Sequence, residues 1–350
     1  MKLRLHSFDL PLAHPFTISR ETTTVQPTLV VELEAEGHRG FGEATSNRYY
    51  HRTIDDMMER LWSLRQRIES IDWLHPRDLW EELSSVLGDD PFAQCALDQA
   101  AYDLWGKLAN QPVHRLLGFA ADSKRPPSNY TIGIDTPERM VEKLAEYPDW
   151  PVYKVKLGTP EDLASLRALR QHTDATFRVD ANAGWDLAHA EALYPHLTEI
   201  GVELIEQPFP EDQWRLIGKF KETCQLPLMA DESCQREQDV ETCAEQGFDG
   251  INIKLVKCGG LTPALRMMDK ARSLGLKLMV GCMTESSVGI SAIAQLLPGL
   301  DFVDMDGAVL LGKDIATGVS LDRGVCGYPS TIMGSGIANL AVDQAIRTLE

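Results

Sequence analysis

The spacing of apolar and polar residues divides the chain into parts with different periodicities. Apolar and polar residues alternate over Lys2–Leu12, Thr28–Glu34 and Phe41–Ala44, which predicts an antiparallel meander. From Thr53 to Asn110 the spacing becomes helical, and Asp90-Pro91 is typical of a helix start. The pattern therefore predicts a small α+β domain at the N-terminal end of the chain.

Farther along, short apolar segments alternate with helical ones. The polar, proline-bearing stretch Lys124–Ser128 cannot continue a helix and predicts the domain boundary. The apolar segments predict eight strands, at Asn129–Gly133, Val152–Leu157, Phe177–Ala181, Val202–Glu206, Leu228–Asp231, Gly250–Leu255, Lys277–Cys282 and Phe302–Asp306. Their ends recur at the length of one strand, one helix and two loops, which predicts a closed parallel barrel.

The two predicted domains leave a C-terminal tail. We expect a capping domain over residues 1–125 and a barrel over residues 126–319. The tail over residues 320–350 is glycine-rich at first, and a final helix is predicted at Ile337–Thr348. We expect this tail to pack back on the capping domain and complete it.

Composition and charge exclude several classes of function. With 43% hydrophobic and 25% charged residues and no apolar run long enough for a bilayer, the chain is typical of a soluble protein. The N-terminus lacks the apolar stretch of a secretory signal, so we expect a cytoplasmic location and no membrane partner. The formal net charge of -18 makes nucleic acid an improbable partner.

Cysteines and histidines narrow the metal chemistry. The seven cysteines are scattered without a CxxC pair, and the nine histidines include no HExxH motif. We therefore expect reduced thiols, and we expect any metal to be held by oxygen ligands. Mg²⁺ and Mn²⁺ are the cations that such ligands suit.

Acidic residues end three successive predicted strands: Asp180, Glu206 and Asp231. Catalytic groups of such barrels stand at the carboxyl ends of strands, and neighbouring strands lie roughly 5 Å apart, so the three carboxylates can converge. Three anions this close would repel one another without a cation, which predicts a Mg²⁺ or Mn²⁺ site. The alternative is that single carboxylates cap helices or form loop ion pairs.

Lysines end the strands on both sides of the acidic residues. Lys154 and Lys156 share a face of the second strand, and Lys254 ends the sixth. Burial of a lysine costs free energy unless something compensates its charge. We expect Lys156 and Lys254 to face each other across a metal-bound substrate and to act as acid and base at one carbon. The alternative is that one of them only neutralises the carboxylates.

These motifs resemble those of the enolase superfamily, in particular its muconate-lactonizing-enzyme-like subgroup. They are KxK at Lys154–Lys156, DAN at Asp180, EQP at Glu206, ADES from Ala230 and KxxxxGG from Lys254. The resemblance covers essentially the whole chain. It implies an α/β fold, a (β/α)7β modified TIM barrel with an N-terminal α+β capping domain.

The resemblance also implies residue roles. Asp180, Glu206 and Asp231 would bind Mg²⁺, with Mn²⁺ as the alternative, and Lys156 and Lys254 would transfer protons. The metal would hold the substrate carboxylate, because the α-proton is too weakly acidic for an amine unless the developing charge is neutralised. Two further residues would support these ligands from behind: Asn182 and Glu232.

The eighth strand indicates the substrate. Asp304 and Asp306 share one face, so both carboxylates should point into the barrel mouth and bind a cation such as the α-ammonium of a peptide. This DxD motif and the segment Gly281–Ser287 look like those of dipeptide epimerases of the L-Ala-D/L-Glu epimerase type. The resemblance implies 1,1-proton transfer at the α-carbon of the C-terminal residue of an L,L-dipeptide such as Ala-Glu, a murein fragment. The alternative is that one aspartate caps a loop.

Other residues are expected to line the substrate pocket. By resemblance these are Thr131, Lys154 and Cys282. Arg20, in the capping segment Phe16–Thr24, could pair with a side-chain carboxylate of the substrate or remain solvated. The expected partners are a small dipeptide and further copies of the same chain in a homo-oligomer.

Two other functions remain open. An o-succinylbenzoate synthase, an N-acylamino acid racemase or a cycloisomerase of the same superfamily would use the same metal and lysines. Succinylbenzoate and muconate offer no cation, so such lyases have no need of Asp304 and Asp306. A noncatalytic metal-binding barrel would tolerate the loss of Lys156 and Lys254 and exchange no substrate proton.

Overall fold

The N-terminal part of the molecule is built on long antiparallel strands. The computed structural model describes residues 1–120, 123–329 and 333–350. The first three strands are β1 (Lys2–Ile18), β2 (Glu21–Ala35) and β3 (His38–Thr45). The meander is confirmed, but β1 and β2 are longer than predicted and meet in a hairpin whose turn holds Ser19 and Arg20.

Helices cover one face of this sheet: α1 (Ile54–Ser63), α2 (Arg65–Ser70), α3 (Pro76–Leu87), α4 (Pro91–Leu108) and α5 (Val113–Leu116). The predicted helix start is confirmed, because the Asp90 side chain accepts a hydrogen bond from the amide of Ala93. Helix α4 is nearly all buried and packs closely on β3. Gly42 permits this approach, since a Cβ there would collide with the carbonyl of Ala96.

Eight parallel strands form the barrel: β4 (Tyr130–Ile132), β5 (Val152–Lys156), β6 (Thr176–Asp180), β7 (Val202–Glu206), β8 (Leu228–Ala230), β9 (Gly250–Lys254), β10 (Lys277–Gly281) and β11 (Phe302–Asp304). They pair in chain order from β4 to β11. A bridge between Ser128 and Val303 brings the two ends together, so the barrel is nearly closed. Every predicted strand is confirmed to within two residues at each end.

Helices connect the barrel strands: α6 (Pro137–Glu146), α7 (Asp162–Arg170), α8 (Leu187–Ile200), α9 (Trp214–Lys221), α10 (Asp239–Glu245), α11 (Leu255–Cys258), α12 (Leu261–Ser273) and α13 (Ser287–Ala294). Each strand except β11 is thus followed by a helix that leads to the next strand, which is the (β/α)7β arrangement. Within the ranges that the structure describes, no helix has both the length and the apolar character to cross a membrane.

The C-terminal tail contains short strands: β12 (Ala316–Thr317), β13 (Ser320–Asp322), β14 (Val325–Gly327), β15 (Asn339–Leu340) and β16 (Arg347–Leu349). The predicted helix at Ile337–Thr348 is wrong. Strand β16 instead pairs antiparallel with β1, and a 3-10 turn covers Val342–Gln344. Pairing with an open sheet edge outweighs the local helical pattern. The domain boundaries near residues 125 and 319 stay a prediction.

Candidate active site

A cavity of about 110 Å³ lies at the carboxyl ends of the barrel strands, beneath the β1–β2 hairpin. Eight of the predicted site residues line it: Arg20, Thr131, Lys156, Asp231, Lys254, Cys282, Asp304 and Asp306. The other three, Lys154, Asp180 and Glu206, are buried beside them and are at most 1% exposed. The cavity is therefore the candidate active site.

The three carboxylates at the ends of β6, β7 and β8 converge. Asp180, Glu206 and Asp231 each present an oxygen within 4.8 Å of the other two, and all three are buried. Carboxylate oxygens are hard ligands presented from one side, which suits Mg²⁺ or Mn²⁺ with positions left for substrate. The donor set therefore fits the predicted divalent cation.

The residues that follow two of these strands explain the convergence. Asn182 and Gln207 adopt left-handed backbone conformations, with φ of 43° and 35°. Such conformations cost free energy outside glycine and persist where the surroundings compensate them. Here the amide of Asn182 donates to Asp180 Oδ1 at 2.8 Å, and Gln207 Oε1 accepts from the amide of Asp231 at 3.0 Å. The first bond holds the Asp180 carboxylate at the end of its own strand, and the second ties the ends of β7 and β8 together.

The two predicted acid-base lysines lie at the two ends of the acidic row. Lys156 Nζ is 2.7 Å from Asp180 Oδ2, and Lys254 Nζ is 2.9 Å from Asp231 Oδ2. Burial opposes the charge of Lys254, but Asp231 raises its pKa above the usual value. Strands β5 and β9 therefore present one ammonium group on each flank of the carboxylates.

The carboxylates differ in their readiness to ionise. Burial disfavours the charge of each, but the ammonium groups of Lys154 and Lys156 hold the pKa of Asp180 below its usual range. Burial and the charge of Asp180 raise the pKa of Glu206 to about 8. A bound cation adds the positive charge that would favour ionisation of Glu206.

Lys154 takes a different place from the one predicted. It does not line the cavity, but lies behind its wall with its Nζ 3.0 Å from Asp180 Oδ2, 2.7 Å from Glu206 Oε2 and 2.7 Å from Asp304 Oδ2. Burial opposes its charge, but these three carboxylates raise its pKa well above the usual value. The arrangement favours a charge-balancing role between the candidate metal ligands and the eighth strand.

Sequence reasoning missed two further partners of the carboxylates. Lys257, on α11, donates to Asp231 Oδ1 at 2.5 Å from a buried position. Asn252 Nδ2 donates to Glu206 Oε1 at 2.8 Å. The period of two places Asn252 on the same face of β9 as Lys254, so this contact was accessible to strand periodicity.

The aspartates of the eighth strand both line the cavity, as the shared face requires. Asp304 accepts from Lys154 and, at 2.8 Å, from Asn129 Nδ2. Asp306 accepts from the amide of Thr131 at 2.5 Å and from its hydroxyl at 3.2 Å. Burial opposes ionisation of both, yet Lys154 lowers the pKa of Asp304 to about 2, whereas burial and Asp304 raise that of Asp306 to about 8. A second cation at this wall would meet two acceptors.

Arg20 is partly exposed at the edge of the cavity, and its guanidinium is already bonded within the chain. Its guanidinium donates to Glu232 Oε1 at 2.7 Å and to the carbonyl of Asn182 at 3.1 Å, and lies 4.3 Å above the ring of Tyr49. Glu232 and Asn182 thus hold the hairpin, and Asn182 also bonds to Asp180. The two hydrogen bonds of Arg20 connect the capping sheet to the barrel at the edge of the cavity.

The loop after β10 forms another wall and contains a buried acid. Cys282 lies beside the eighth-strand aspartates, and burial raises the pKa of its thiol well above the usual value. Glu285 is 3% exposed and its Oε1 accepts from the amide of Met283 at 2.8 Å. Burial and the charge of Glu43 raise the pKa of Glu285 to about 8.

The raised pKa of Glu285 predicts a pH-dependent stability. The unfolded chain loses this proton near the ordinary pKa of 4.5, whereas the folded protein holds it up to about 8. The free energy of unfolding should therefore fall as pH rises through this window, by up to about 1.4 kcal/mol per pH unit from this group. Glu285→Gln should remove that part of the slope in urea denaturation at about pH 5 and pH 8. Parallel pH profiles for variant and wild type would contradict it.

Two parts of the chain match known protein families, and the whole chain is similar to known epimerases. Residues 3–118 match the family described as mandelate racemase / muconate lactonizing enzyme, N-terminal domain, and residues 138–332 match the enolase C-terminal domain-like family. An L-Ala-D/L-amino acid epimerase of Maribacter is 51% identical over 96% of this chain and 99% of its own length.

Solved structures of dipeptide epimerases are also similar to this chain. A dipeptide epimerase of Methylococcus capsulatus complexed with Mg and L-Arg-D-Lys is 31% identical, with a TM-score of 0.84 over 97% of this chain and 100% of its own. One from Enterococcus faecalis complexed with Mg and L-Leu-L-Tyr is 29% identical, with a TM-score of 0.89 over 97% and 99%.

Proposed function

The chain belongs to the mandelate racemase / muconate lactonizing enzyme family of the enolase superfamily, and we propose that it epimerises dipeptides at the α-carbon of their C-terminal residue. It is an isomerase that acts on amino acid derivatives. The observation that carries the proposal is the presence of Asp304 and Asp306 in the same cavity as Lys156 and Lys254. Acid-base groups and a receptor for an ammonium group thus share one substrate site.

We propose Asp180, Glu206 and Asp231 as the ligands of a divalent cation, with Mg²⁺ as the first choice. When bound, such a cation would neutralise negative charge on the substrate carboxylate and make the α-proton more acidic. Glu206 accepts from Asn252, and Asp231 from Lys257, so both ligands are oriented from behind. Mn²⁺ has the same preference for oxygen and is a second candidate.

Lys156 and Lys254 move the proton. One amine removes it from the α-carbon, and the ammonium of the other returns a proton on the opposite face, which inverts the configuration. The roles exchange for the reverse direction, so each lysine serves one configuration of the substrate. Both side chains are at least nine-tenths buried, which limits the contact of the two amines with bulk water.

Asp304 and Asp306 recognise the N-terminal residue of the dipeptide. Both carboxylates line the cavity and can accept from the substrate α-ammonium, while Lys154 and Asn129 hold Asp304 in place from behind. Arg20 lines the cavity, but its guanidinium is already paired with Glu232, so part of its charge is compensated before a glutamate side chain at the C-terminal position could reach it. This pairing favours a range of C-terminal residues over glutamate alone.

Incubation with a library of L,L-dipeptides in D2O tests the proposed function. Epimerisation replaces the α-proton of the C-terminal residue by deuterium, which mass spectrometry and chiral chromatography detect. We expect L-Ala dipeptides to be converted. Asp304→Asn should lower kcat/KM by about 10- to 100-fold, because a hydrogen bond to a charged group contributes about 1.5–3 kcal/mol.

The outcome of the same experiment distinguishes the other functions. N-succinyl or N-acyl amino acids as preferred substrates, with no effect of Asp304→Asn, would indicate a racemase that does not use the ammonium receptor. Dehydration of a carboxylate substrate would indicate a synthase of the succinylbenzoate kind. Absence of deuterium from every substrate, with the metal bound, would indicate a noncatalytic barrel.

A further inference from the structure

The loop after β10 forms the cavity wall next to the eighth strand. Cys282, Met283 and Thr284 line the cavity. The amide of Cys282 donates to the carbonyl of Asp304 at 2.7 Å, so the beginning of the loop is joined directly to the proposed ammonium receptor. The position of this loop therefore affects the side of the cavity that would hold the N-terminal residue of a dipeptide.

The end of the same loop is anchored by a carboxylate from the capping sheet. Glu43 of β3 is fully buried, and its Oε2 accepts from the amide of Ser286 at 3.1 Å, from the Ser286 hydroxyl at 2.6 Å and from the amide of Gly289 at 2.9 Å. Its Oε1 accepts from the hydroxyl of Thr28 at 2.8 Å and from the amide of Ser286 at 3.1 Å. All its partners are donors, which requires acceptors at both oxygens.

The strand that carries Glu43 is itself held rigidly. The amide of Glu43 donates to Gln99 Oε1 at 3.0 Å, and Gly42 allows α4 to press directly against β3. A carboxylate at a helix N-terminus is favourable because it satisfies unpaired amides and the helix dipole. Glu43 therefore fixes the first turn of α13, and with it the loop that ends there.

From this geometry we propose that Glu43 is a positioning residue for dipeptide binding. It holds the wall of Cys282, Met283 and Thr284 against the ammonium receptor and so sets affinity for the N-terminal residue, while Lys156 and Lys254 keep their own supports on β5 and β9. The role rests on the proposed function. Loss of the anchor should raise KM far more than it lowers kcat.

A second carboxylate of the capping domain provides a matched control. Asp98 of α4 is 3% exposed and accepts from the amide of Thr262 at 2.9 Å and from its hydroxyl at 2.8 Å, at the first turn of α12. Like the contact of Glu43, it joins a carboxylate of the capping domain to the first turn of a barrel helix. The residues that precede α12, over positions 255–260, do not line the cavity, and Lys257 among them is held by Asp231 and the carbonyl of Cys234, not by Asp98. Asp98→Asn should therefore cost stability without changing substrate affinity.

The experiment compares Glu43→Gln, Ser286→Ala and Asp98→Asn with the wild-type enzyme. Glutamine places an amide N–H2 against donors, whereas Ser286→Ala removes only the hydroxyl and serves if Glu43→Gln does not fold. We expect KM for L-Ala dipeptides to rise about tenfold or more in Glu43→Gln and less in Ser286→Ala, with kcat within about threefold, and no rise in Asp98→Asn. Hydrogen exchange should accelerate at the amides of Ser286 and Gly289 in the first two variants only.

Two results would overturn the inference: an unchanged KM in Glu43→Gln, or equal losses of kcat and affinity in Glu43→Gln and Asp98→Asn, since the latter indicates general destabilisation. Failure of the proposed function has a different signature. If wild-type enzyme exchanges no α-proton of any dipeptide, the proposed function fails, and the amide exchange at Ser286 and Gly289 still decides whether Glu43 anchors the loop.

Discussion

Replacing Lys254 with alanine should lower the rate of epimerisation by about 10³-fold or more, because inversion needs a proton donor or acceptor on each face of the α-carbon. The remaining lysine, Lys156, should still remove and return the proton on its own face. In D2O, Lys254→Ala is therefore expected to exchange the α-proton of only one of the two diastereomers, without inversion. Lys156→Ala should exchange only the other.

This reciprocal pattern separates acid-base roles from charge balance. A lysine that only neutralises the carboxylates would, when removed, affect exchange of both diastereomers equally. Lys270→Ala is the control, because Lys270 lies outside the cavity and pairs with Glu241 at 3.4 Å. Exchange is followed by NMR for each pure diastereomer. Exchange of the same diastereomer by both variants would contradict a two-face mechanism.

The barrel strands and their charged ends were predictable from sequence because the information is local. An apolar run of four to six residues bounded by polar loops specifies a buried parallel strand. Asp180 and Glu206 end such runs, and Asp231 immediately follows one, so the position of each at the barrel mouth followed from the strand alone. Their convergence to within 4.8 Å follows from the pairing of neighbouring strands.

The partners of long side chains were not predictable in the same way. Strand periodicity placed Lys154 on the correct face but could not tell that its ammonium would lie among three carboxylates. Arg20 binds Glu232 across 212 positions of the chain, a contact set by how the hairpin lies over the barrel. No local signal encodes such a distance.

The C-terminal tail and Glu43 also depend on contacts between distant parts of the chain, which the sequence pattern does not predict. The spacing over Ile337–Thr348 is helical, but its end at Arg347–Thr348 pairs with β1 instead, because an open sheet edge offers backbone hydrogen bonds that a short isolated helix holds only marginally. Glu43 stands in an ordinary strand sequence, and its role depends on the approach of Ser286 from 243 positions away. Tertiary contacts determine the structure of the tail and the role of Glu43, and the spacing of apolar and polar residues carries no information about such contacts.

Removal of divalent cation with a chelator should also lower the activity by about 10³-fold, and Mg²⁺ should restore it. A substrate carboxylate would otherwise meet the buried charges of Asp180 and Asp231, beside Glu206, and the lysine ammonium groups there already pair with these carboxylates. Glu206→Gln should weaken the binding of Mn²⁺, which electron paramagnetic resonance measures directly. The same substitution should also lower the activity. Added Mg²⁺ should raise the melting temperature of the wild type more than that of this variant. The control Asp98→Asn should bind Mn²⁺ as the wild type does, whereas full activity in chelator would exclude a cation from the reaction.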